Sequence, residues 1–180
     1  MTNLPVPTLP NEVPGNFIAS AVFNTVGLNG LGFSLSPPVA TLYQATIQSL
    51  TSSSNAAITL DSESIDTYGG HNTVTNNSRY VGQVPGYYAI YGVVCFASNA
   101  TGIRAITIAK NGSLTSVPGG FGIFSATSGV ACAQAFGVIQ LNGTTDYIEI
   151  YADQNSGGTI STSVAAVTQQ SMMTLWWLHT

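Results

Sequence analysis

The side chains best suited to chemistry lie in one stretch of the sequence: Asp61, Glu63 and Asp66, with His71 shortly after them. Ca²⁺ accepts carboxylates together with loop carbonyls, so Asp61, Glu63 and Asp66 form a candidate metal site. Two carboxylates at the right separation can also hydrolyse a glycosidic bond. The competing interpretation is structural, because Asp and Ser in a glycine-rich loop hydrogen-bond their own backbone and orient a turn. The stretch lacks the Asp-x-Asp-x-Asp-Gly spacing of a calcium loop, which favours the turn.

The sequence shows no recognisable pair of a nucleophile and a base, or of a general acid and a general base, at a spacing that would support catalysis. Gly-x-Ser-x-Gly, His-Glu-x-x-His, a glycine-rich phosphate loop and Cys-x-x-Cys are all missing from it. The chain has two histidines. His71 is more simply read as a turn residue, and His179 as a residue of the C-terminus, than as catalytic groups. The sequence therefore predicts a protein that is not an enzyme, with no catalytic residue and no cofactor beyond the Ca²⁺ considered above.

The composition points to contacts between subunits. Of the 180 residues, 44% are hydrophobic and only 6% are charged, whereas an ordinary soluble domain is about 25% charged. Seven acidic residues stand against three basic ones, Arg79, Arg104 and Lys110, for a net charge of −4. No basic stripe exists to neutralise phosphates, which argues against nucleic acid as a partner. With so few cations, Arg79 and Arg104 are expected to pair with the acidic cluster.

The N-terminus and the hydropathy pattern predict a chain made in the cytoplasm and no membrane partner. No apolar run approaches the ~20 residues of a membrane span, and Met1-Thr-Asn-Leu-Pro-Val-Pro has neither a charged nor an apolar signal region. Cys95 and Cys132 lie in apolar segments that could meet across a sheet. In a reducing compartment two such cysteines are more often buried thiols than a bridge, which favours thiols and leaves the bridge as the alternative.

The first 38 residues differ from the remainder. Four prolines within residues 1–15 favour an extended arm. Residues 16–33 predict one short helix, which Asn16 would cap. Ser36 and the prolines that follow it mark the entry to a β-domain. The predicted division is a docking segment over 1–38, for a particle or another subunit, and a jelly-roll domain over 39–180.

From residue 40 onward the sequence alternates between apolar strands and turn clusters. Ten strands are predicted, near 40–49, 56–61, 78–84, 86–97, 102–110, 120–126, 129–141, 145–154, 159–167 and 171–179. No segment of helical period interrupts them. The predicted fold class is all-β, a two-sheet antiparallel jelly-roll sandwich with an extended N-terminal arm and a short helix.

Several of these segments resemble known families. The strand from Gly86 to Phe96, of the form Gly-x-Tyr-x-x-x-Gly-x-Val-x-Phe, is followed by a strand that ends in Asn111-Gly112. This pair resembles the core of the tumour-necrosis-factor and complement globular-head jelly roll. The stretches 145–158 and 175–178 are similar to the last strands of that fold. The stretches 36–40, 60–71, 78–80 and 99–104 resemble small structural proteins of tailed bacteriophages, often described as minor tail proteins.

The resemblance implies a homotrimer, in which the outer face of the inner sheet meets two other subunits around a three-fold axis. Alternation places Tyr87 and Tyr91 on one face of their strand, and Tyr147 and Tyr151 share a face of theirs. Trp176 and Trp177 must face opposite ways. The candidate trimer interface therefore consists of Tyr87, Tyr91, Tyr147, Tyr151 and Trp177. Relatives in this superfamily sometimes carry Ca²⁺, which is the second reason to consider the acidic cluster a metal site.

The function implied by the resemblance is structural. The expectation is a bacteriophage virion protein, most simply a trimeric minor tail or receptor-binding protein that contacts the host surface. Its partners would be other phage structural proteins, of tail or capsid, and a host cell-surface glycan. The first alternative is a capsid decoration protein that stabilises the phage head, and the second is a lectin-like adhesion protein of a bacterium. The expected location is the virion, after synthesis in the host cytoplasm.

Overall fold

The computed structural model describes residues 24–180, apart from the side chains of Thr25 and Val26. A π-helical turn over Asn24–Asn29 continues into the helix α1, Gly30–Leu35. The helix ends there because Ser36 is followed by two prolines, which have no N–H to donate. Neither helical segment is long and apolar enough to cross a bilayer. The predicted arm (1–15) and the first part of the predicted helix (16–23) lie outside the described residues.

Strands make up most of the described chain. They are β1 (Val39–Tyr43), β2 (Ser49–Leu50), β3 (Ala56–Ala57), β4 (Ser62–Asp66), β5 (Tyr80–Val81), β6 (Pro85–Phe96), β7 (Ile103–Lys110), β8 (Phe121–Ser125), β9 (Ala131–Asn142), β10 (Tyr147–Gln154), β11 (Ile160–Ser161) and β12 (Met172–His179). A 3-10 turn over Val167–Gln169 lies between the last two.

The strands form two facing sheets. Sheet I has the order β4-β1-β12-β6-β9, and sheet II has the order β3-β10-β7-β8 with β5 also paired to β10. The short strands β2 and β11 pair with each other. Every pairing in the two large sheets is antiparallel. The fold is therefore an all-β jelly-roll sandwich with one short helix, in agreement with the fold class predicted from the sequence.

The core lies between the two sheets and is built by alternation along their central strands. From β6, Tyr88, Ile90 and Phe96 point inward and are fully buried. Gly92 shares this inward side, and a Cβ atom there would lie 2.8 Å from a methyl of Ile150 in the opposite sheet. The sheets approach too closely at this point for a side chain, which explains the glycine in the middle of a long strand.

The two cysteines correct one expectation. Cys95 on β6 and Cys132 on β9 are register partners, and they form a disulfide. The expectation of free thiols is wrong because it came from the presumed compartment, whereas the pairing follows from the strand register. The bridge closes a sequence separation of 37 residues and ties sheet I's edge strand to its neighbour.

Four strand predictions also differ from the structure, and those over 56–61 and 78–84 are reduced to Ala56–Ala57 and Tyr80–Val81. The strand predicted over 40–49 ends at Tyr43 because the buried amide of Gln44 turns to Gln48 and Thr59, at 3.4 and 3.2 Å. The strand predicted over 159–167 is reduced to Ile160–Ser161. The edge strand Ser62–Asp66 was not predicted at all, since its mostly polar sequence shows no apolar alternation.

Candidate functional site: the outer face of sheet I

The side of sheet I that faces away from the core carries mostly apolar side chains, interrupted by Thr41, Thr174 and Gln134. Register places them in rows that run across β1, β12, β6 and β9. The rows are Tyr43, Met172, Val93 and Gln134; then Thr41, Thr174, Tyr91 and Phe136; then Val39, Trp176, Ala89 and Val138. We call these twelve residues the outer apolar face.

Several large side chains of this face are exposed to solvent. Phe136 is 50% exposed, Val138 40% and Trp176 36%. The rings of Phe136 and Trp176 contact each other, with centroids 6.3 Å apart. Tyr87 and Ile65, next to the rows, are 37% and 45% exposed. A contiguous apolar patch of this kind marks an interaction surface in a soluble protein.

The structure brings only two of the five predicted interface residues together. Tyr87 and Tyr91 lie on the outward side of β6, opposite the core residues Tyr88 and Ile90. Tyr147 and Tyr151 lie on β10 of sheet II and alternate there with core residues, so they face outward on the other side of the sandwich. The aromatic pairs therefore belong to two separate surfaces.

Trp177 turns inward, and its neighbour Trp176 occupies the exposed position. The ring of Trp177 meets the buried ring of Phe33 edge-on, at 4.9 Å between centroids, and its indole N–H donates to the carbonyl of Pro85 at 3.1 Å. This contact anchors α1 to the end of the sandwich. The assignment of Trp177 to the outer surface is corrected to Trp176, because strand parity fixes that the two face opposite ways but leaves open which one faces out.

A second apolar surface lies on β8, the edge strand of sheet II. Phe121, Ile123 and Phe124 are 61%, 56% and 48% exposed. The backbone of β8 runs directly against that of β9, so that a Cβ atom on Gly122 would collide with the carbonyl of Gln134. The β8 backbone therefore adjoins β9, with Phe124 on the same side of β8 as Gly122 and with Phe121 and Ile123 on the outward side of sheet II.

The acidic cluster is distributed among separate structural roles. Asp61 Oδ1 accepts from the backbone N–H of Ala45 at 2.6 Å. Asp66 accepts from the N–H groups of Tyr68, Gly69 and His71, at 3.2, 2.9 and 2.9 Å. Asp66 thus does what the turn interpretation predicts. Among residues 24–180, no group of three or more His, Cys, Asp or Glu side chains is arranged to hold a metal ion.

Glu63 and His71 interact with each other at the edge of this loop. Glu63 Oε2 lies 3.3 Å from Nδ1 of His71, whose side chain is completely buried. The other ring nitrogen, Nε2, lies 3.2 Å from the carbonyl oxygen of Asn77. Both nitrogens of His71 therefore face oxygen acceptors, and within the described chain neither contacts a serine, threonine or cysteine nucleophile.

The two arginines pair differently from the expectation. Arg79 binds Glu149, with its Nε 3.1 Å from Oε1. Arg104 is fully buried and donates to the carbonyls of Asn99, Thr101 and Ile103, at 2.8, 3.0 and 2.8 Å. Burial lowers the pKa of Arg104. The predicted pairing with the acidic cluster at 61–66 is wrong, because Arg79 lies beside β10, and Arg104 faces the core at the other end of the sandwich.

Comparison with known proteins finds similar folds and no similar sequence. No family model matches the chain, and no curated protein matches it. Solved structures do match, among them jelly rolls of the tumour-necrosis-factor and complement globular-head type. Murine APRIL at pH 5.0 superposes with a TM-score of 0.58 and 15% identity over 79% of this chain and 99% of that one.

Two further structures give the same result. The globular domain of the zebrafish complement 1qA protein has a TM-score of 0.53 and 11% identity over 79% of this chain and 98% of that one. Eiger TNF from S. frugiperda has a TM-score of 0.56 and 11% identity, over 79% and 93%. At these identities the likeness is one of fold.

Proposed function

We propose that this protein is a non-catalytic homotrimer that serves as a minor tail or receptor-binding protein in the virion of a tailed bacteriophage. The observation that carries the proposal is the outer apolar face, which is exposed in the single chain. Burial of a half-exposed Phe or Trp side chain stabilises by about 1 kcal/mol, and each face contributes several such groups. With only 6% charged residues, the chain has little surface charge to oppose the association of such faces.

A closed ring of three subunits needs two different, complementary surfaces on each protomer. The outer apolar face supplies one of them. The edge strand β8, with its exposed Phe121, Ile123 and Phe124, supplies the second, because its backbone lies against β9 at the edge of the first. In the proposed trimer, the β8 edge of each subunit packs against the outer apolar face of the next.

The virion part of the proposal rests on the resemblance of the stretches 36–40, 60–71, 78–80 and 99–104 to small phage structural proteins. The disulfide is compatible with it, since disulfides persist on virion surfaces and in other oxidising environments. Recognition would then fall to the polar loops that remain outside the trimer interface. The alternative of a capsid decoration protein shares the trimer and differs in its place on the particle.

Sedimentation velocity at micromolar concentration tests the trimer. The wild type should sediment as a trimer, whereas Trp176→Asp combined with Phe136→Asp should give a folded monomer, because a carboxylate at these positions would be buried without a partner. Val74→Asp is the matched control, since Val74 is 84% exposed on the loop between β4 and β5. A wild type that sediments as a monomer would contradict the assembly.

Immunogold labelling of whole phage particles with an antibody against this chain tests the location. Label at the tail end supports the receptor-binding role. Label distributed over the head would replace it with capsid decoration, and particles without label would remove the virion from the proposal altogether.

A further inference from the structure

A polar cleft lies on the sheet II side of the molecule, beside β5 and the start of β10. Its volume is about 540 Å³, within the range of roughly 300–1,000 Å³ of small-molecule sites. One wall is the loop that follows β4, and the other is the turn before β10. The lining residues are Gly69, Gly70, His71, Asn72, Thr75, Asn76, Arg79, Val81, Gln83, Thr144, Thr145 and Tyr147.

The charge of the lining is opposite to that of the chain. The protein has seven acidic and three basic residues, yet the cleft contains Arg79 and no carboxylate. The ring of His71 is buried and both of its nitrogens already face acceptors. Arg79 is therefore the cation of the cleft lining, which contains no acidic residue although the protein as a whole is acidic.

Arg79 is held in place with part of its guanidinium free. Its Nε donates to Glu149, and its guanidinium stacks on the ring of Tyr147 at 4.2 Å. The hydrogen bond to Glu149 raises the pKa of Arg79, so the cation is permanent. The side chain is 38% exposed, and its Nη1 and Nη2 have no hydrogen-bond partner among residues 24–180. Two parallel N–H groups of this kind fit a carboxylate or a phosphate.

Glu149 carries the other half of this arrangement. It is almost completely buried, and it also accepts from Ser78 Oγ at 2.7 Å and from the Tyr151 hydroxyl at 3.1 Å. The negative charge of Glu149 is thus neutralised by Arg79 and stabilised by two hydroxyl donors beneath the cleft. A fixed carboxylate that orients one edge of Arg79 leaves the other edge free to bind a ligand.

Neutral polar groups surround the arginine. The side-chain amide of Asn76, Oε1 of Gln83 and the hydroxyls of Thr75 and Thr144 have no hydrogen-bond partner within the described part of the chain, and all four residues are exposed. They supply donors and acceptors in the mixture that sugar hydroxyls require. A ligand that uses both the arginine and these groups carries one acidic group on a polyhydroxylated frame.

Both walls of the cleft are ordered before any ligand binds. Asp66 holds three N–H groups of the first wall, and Asn72 Oδ1 holds those of Val74 and Thr75. Asn142 Oδ1 accepts from residues 144, 145 and 146 of the second wall, at 3.0, 2.9 and 2.9 Å. A Cβ atom on Gly70 would lie 2.6 Å from the Tyr80 ring, so the glycine allows the first wall to rest on β5. Prior ordering reduces the entropy cost of binding.

We propose that this cleft binds an acidic glycan, with a carboxylate or phosphate group on Arg79 and the sugar hydroxyls on Asn76, Gln83, Thr75 and Thr144. The inference deepens the proposed recognition function and rests on it for its biological meaning. The shared chemistry is an anion on a polyol, and the source is a uronic acid, a sialic acid or a sugar or glycerol phosphate. The outer apolar face is a different surface, so a trimer leaves the cleft accessible.

Isothermal titration of the full chain tests the site with three acidic probes: tri-galacturonate, sialyllactose and glycerol phosphate oligomers. The neutral probes are the methyl ester of tri-galacturonate and lactose. At least one acidic probe should bind at about 10 mM or below, where even a millimolar site is mostly occupied. Its neutral counterpart should bind about tenfold more weakly, and added salt should weaken the acidic probe alone.

Three variants locate the binding. Arg79→Lys keeps a cation for Glu149 but removes the free pair of N–H groups, and should weaken binding about tenfold. Asn76→Gly suits the positive φ of that position, and Thr144→Val removes an unpartnered hydroxyl. Each should weaken binding severalfold. Thr115→Val, at an exposed hydroxyl outside the cleft, is the matched control and should change nothing.

Two results with the acidic probes would overturn the inference: failure of every one of them to bind at about 10 mM, or binding that Arg79→Lys and Thr144→Val leave unchanged. Equal affinity for the neutral probes would also overturn it. Sedimentation of the same samples separates this failure from that of the proposed function, because a trimer that binds no acidic probe keeps its assembly and loses only this ligand.

Discussion

Asp146 connects three segments at the end of the sandwich through one carboxylate. Its Oδ2 lies 2.7 Å from Nζ of Lys110 and accepts from the N–H of Asn142 at 3.0 Å. Its Oδ1 accepts from the amide of Asn111 at 2.8 Å. The hydrogen bonds from Lys110 and Asn111 lower the pKa of Asp146. The side chain is only 14% exposed, so solvent screens these contacts weakly.

The lowered pKa predicts how stability responds to acid. A carboxyl group with a depressed folded pKa contributes stability that is fully present above its unfolded pKa of about 3.9 and is lost as the pH falls through the folded value. We expect Asp146→Asn to cost about 1–2 kcal/mol at pH 7 and to unfold with a weaker pH dependence below about pH 4. Urea denaturation over a pH series measures both, and parallel pH profiles for the two proteins would contradict the assignment.

Arg104 shows where residue-level prediction from the sequence ends. Along β7, Arg104 shares a side with the core residues Ile106 and Ile108. The expectation of an acidic partner fails because, among residues 24–180, Arg104 has no carboxylate partner at that end of the core. Its partners are carbonyls of the preceding loop, including those of Asn99 and Thr101. Carbonyl partners carry no signature in the sequence, since every residue has one.

At the scale of the elements, the long strands are predictable. Two-residue alternation bounded by glycine turns places β6, β7, β9, β10 and β12 within two residues of their observed ends. The segments predicted around β5 (78–84) and β11 (159–167) are much longer than the strands observed. The pairings of β2 with β11 and of β5 with β10 were not predicted, because two residues show no period. Only two of the five residues predicted for the candidate interface lie on it, for a related reason. Parity gives the two faces of each strand, and only the packing of α1 on Trp177 selects which tryptophan faces out.

The bridge between β6 and β9 predicts a large effect on stability. Cross-linking residues 37 apart removes conformational entropy from the unfolded chain, and the expected contribution is about 2–4 kcal/mol. Replacement of Cys95 and Cys132 by Ala should lower the free energy of unfolding by that amount and leave the strand register in place. Guanidinium denaturation measures the loss. A reductant should destabilise the wild type to the same extent and leave the double variant unchanged, and equal stability of both proteins without reductant would argue against the bridge.

At the scale of the whole molecule, the trimer couples stability to concentration. When a folded trimer unfolds to three chains, a tenfold increase in protomer concentration adds about 2.7 kcal/mol per trimer to the free energy of unfolding. With an unfolding entropy of about 2.1 cal/mol/K per residue, the Tm of a trimer of this size should rise by about 2–3 °C.

The same measurement on the interface variant separates assembly from folding. Trp176→Asp with Phe136→Asp removes the apolar contact and should give a Tm that is both lower and independent of concentration, because a monomer unfolds without a change in particle number. Val74→Asp, whose side chain lies on the loop between β4 and β5, should retain the concentration dependence of the wild type. Calorimetry over a hundredfold range of concentration provides the readout. If the Tm of the wild type were constant over that range, the unit that folds would be the single chain, and the outer apolar face would need another partner to cover it.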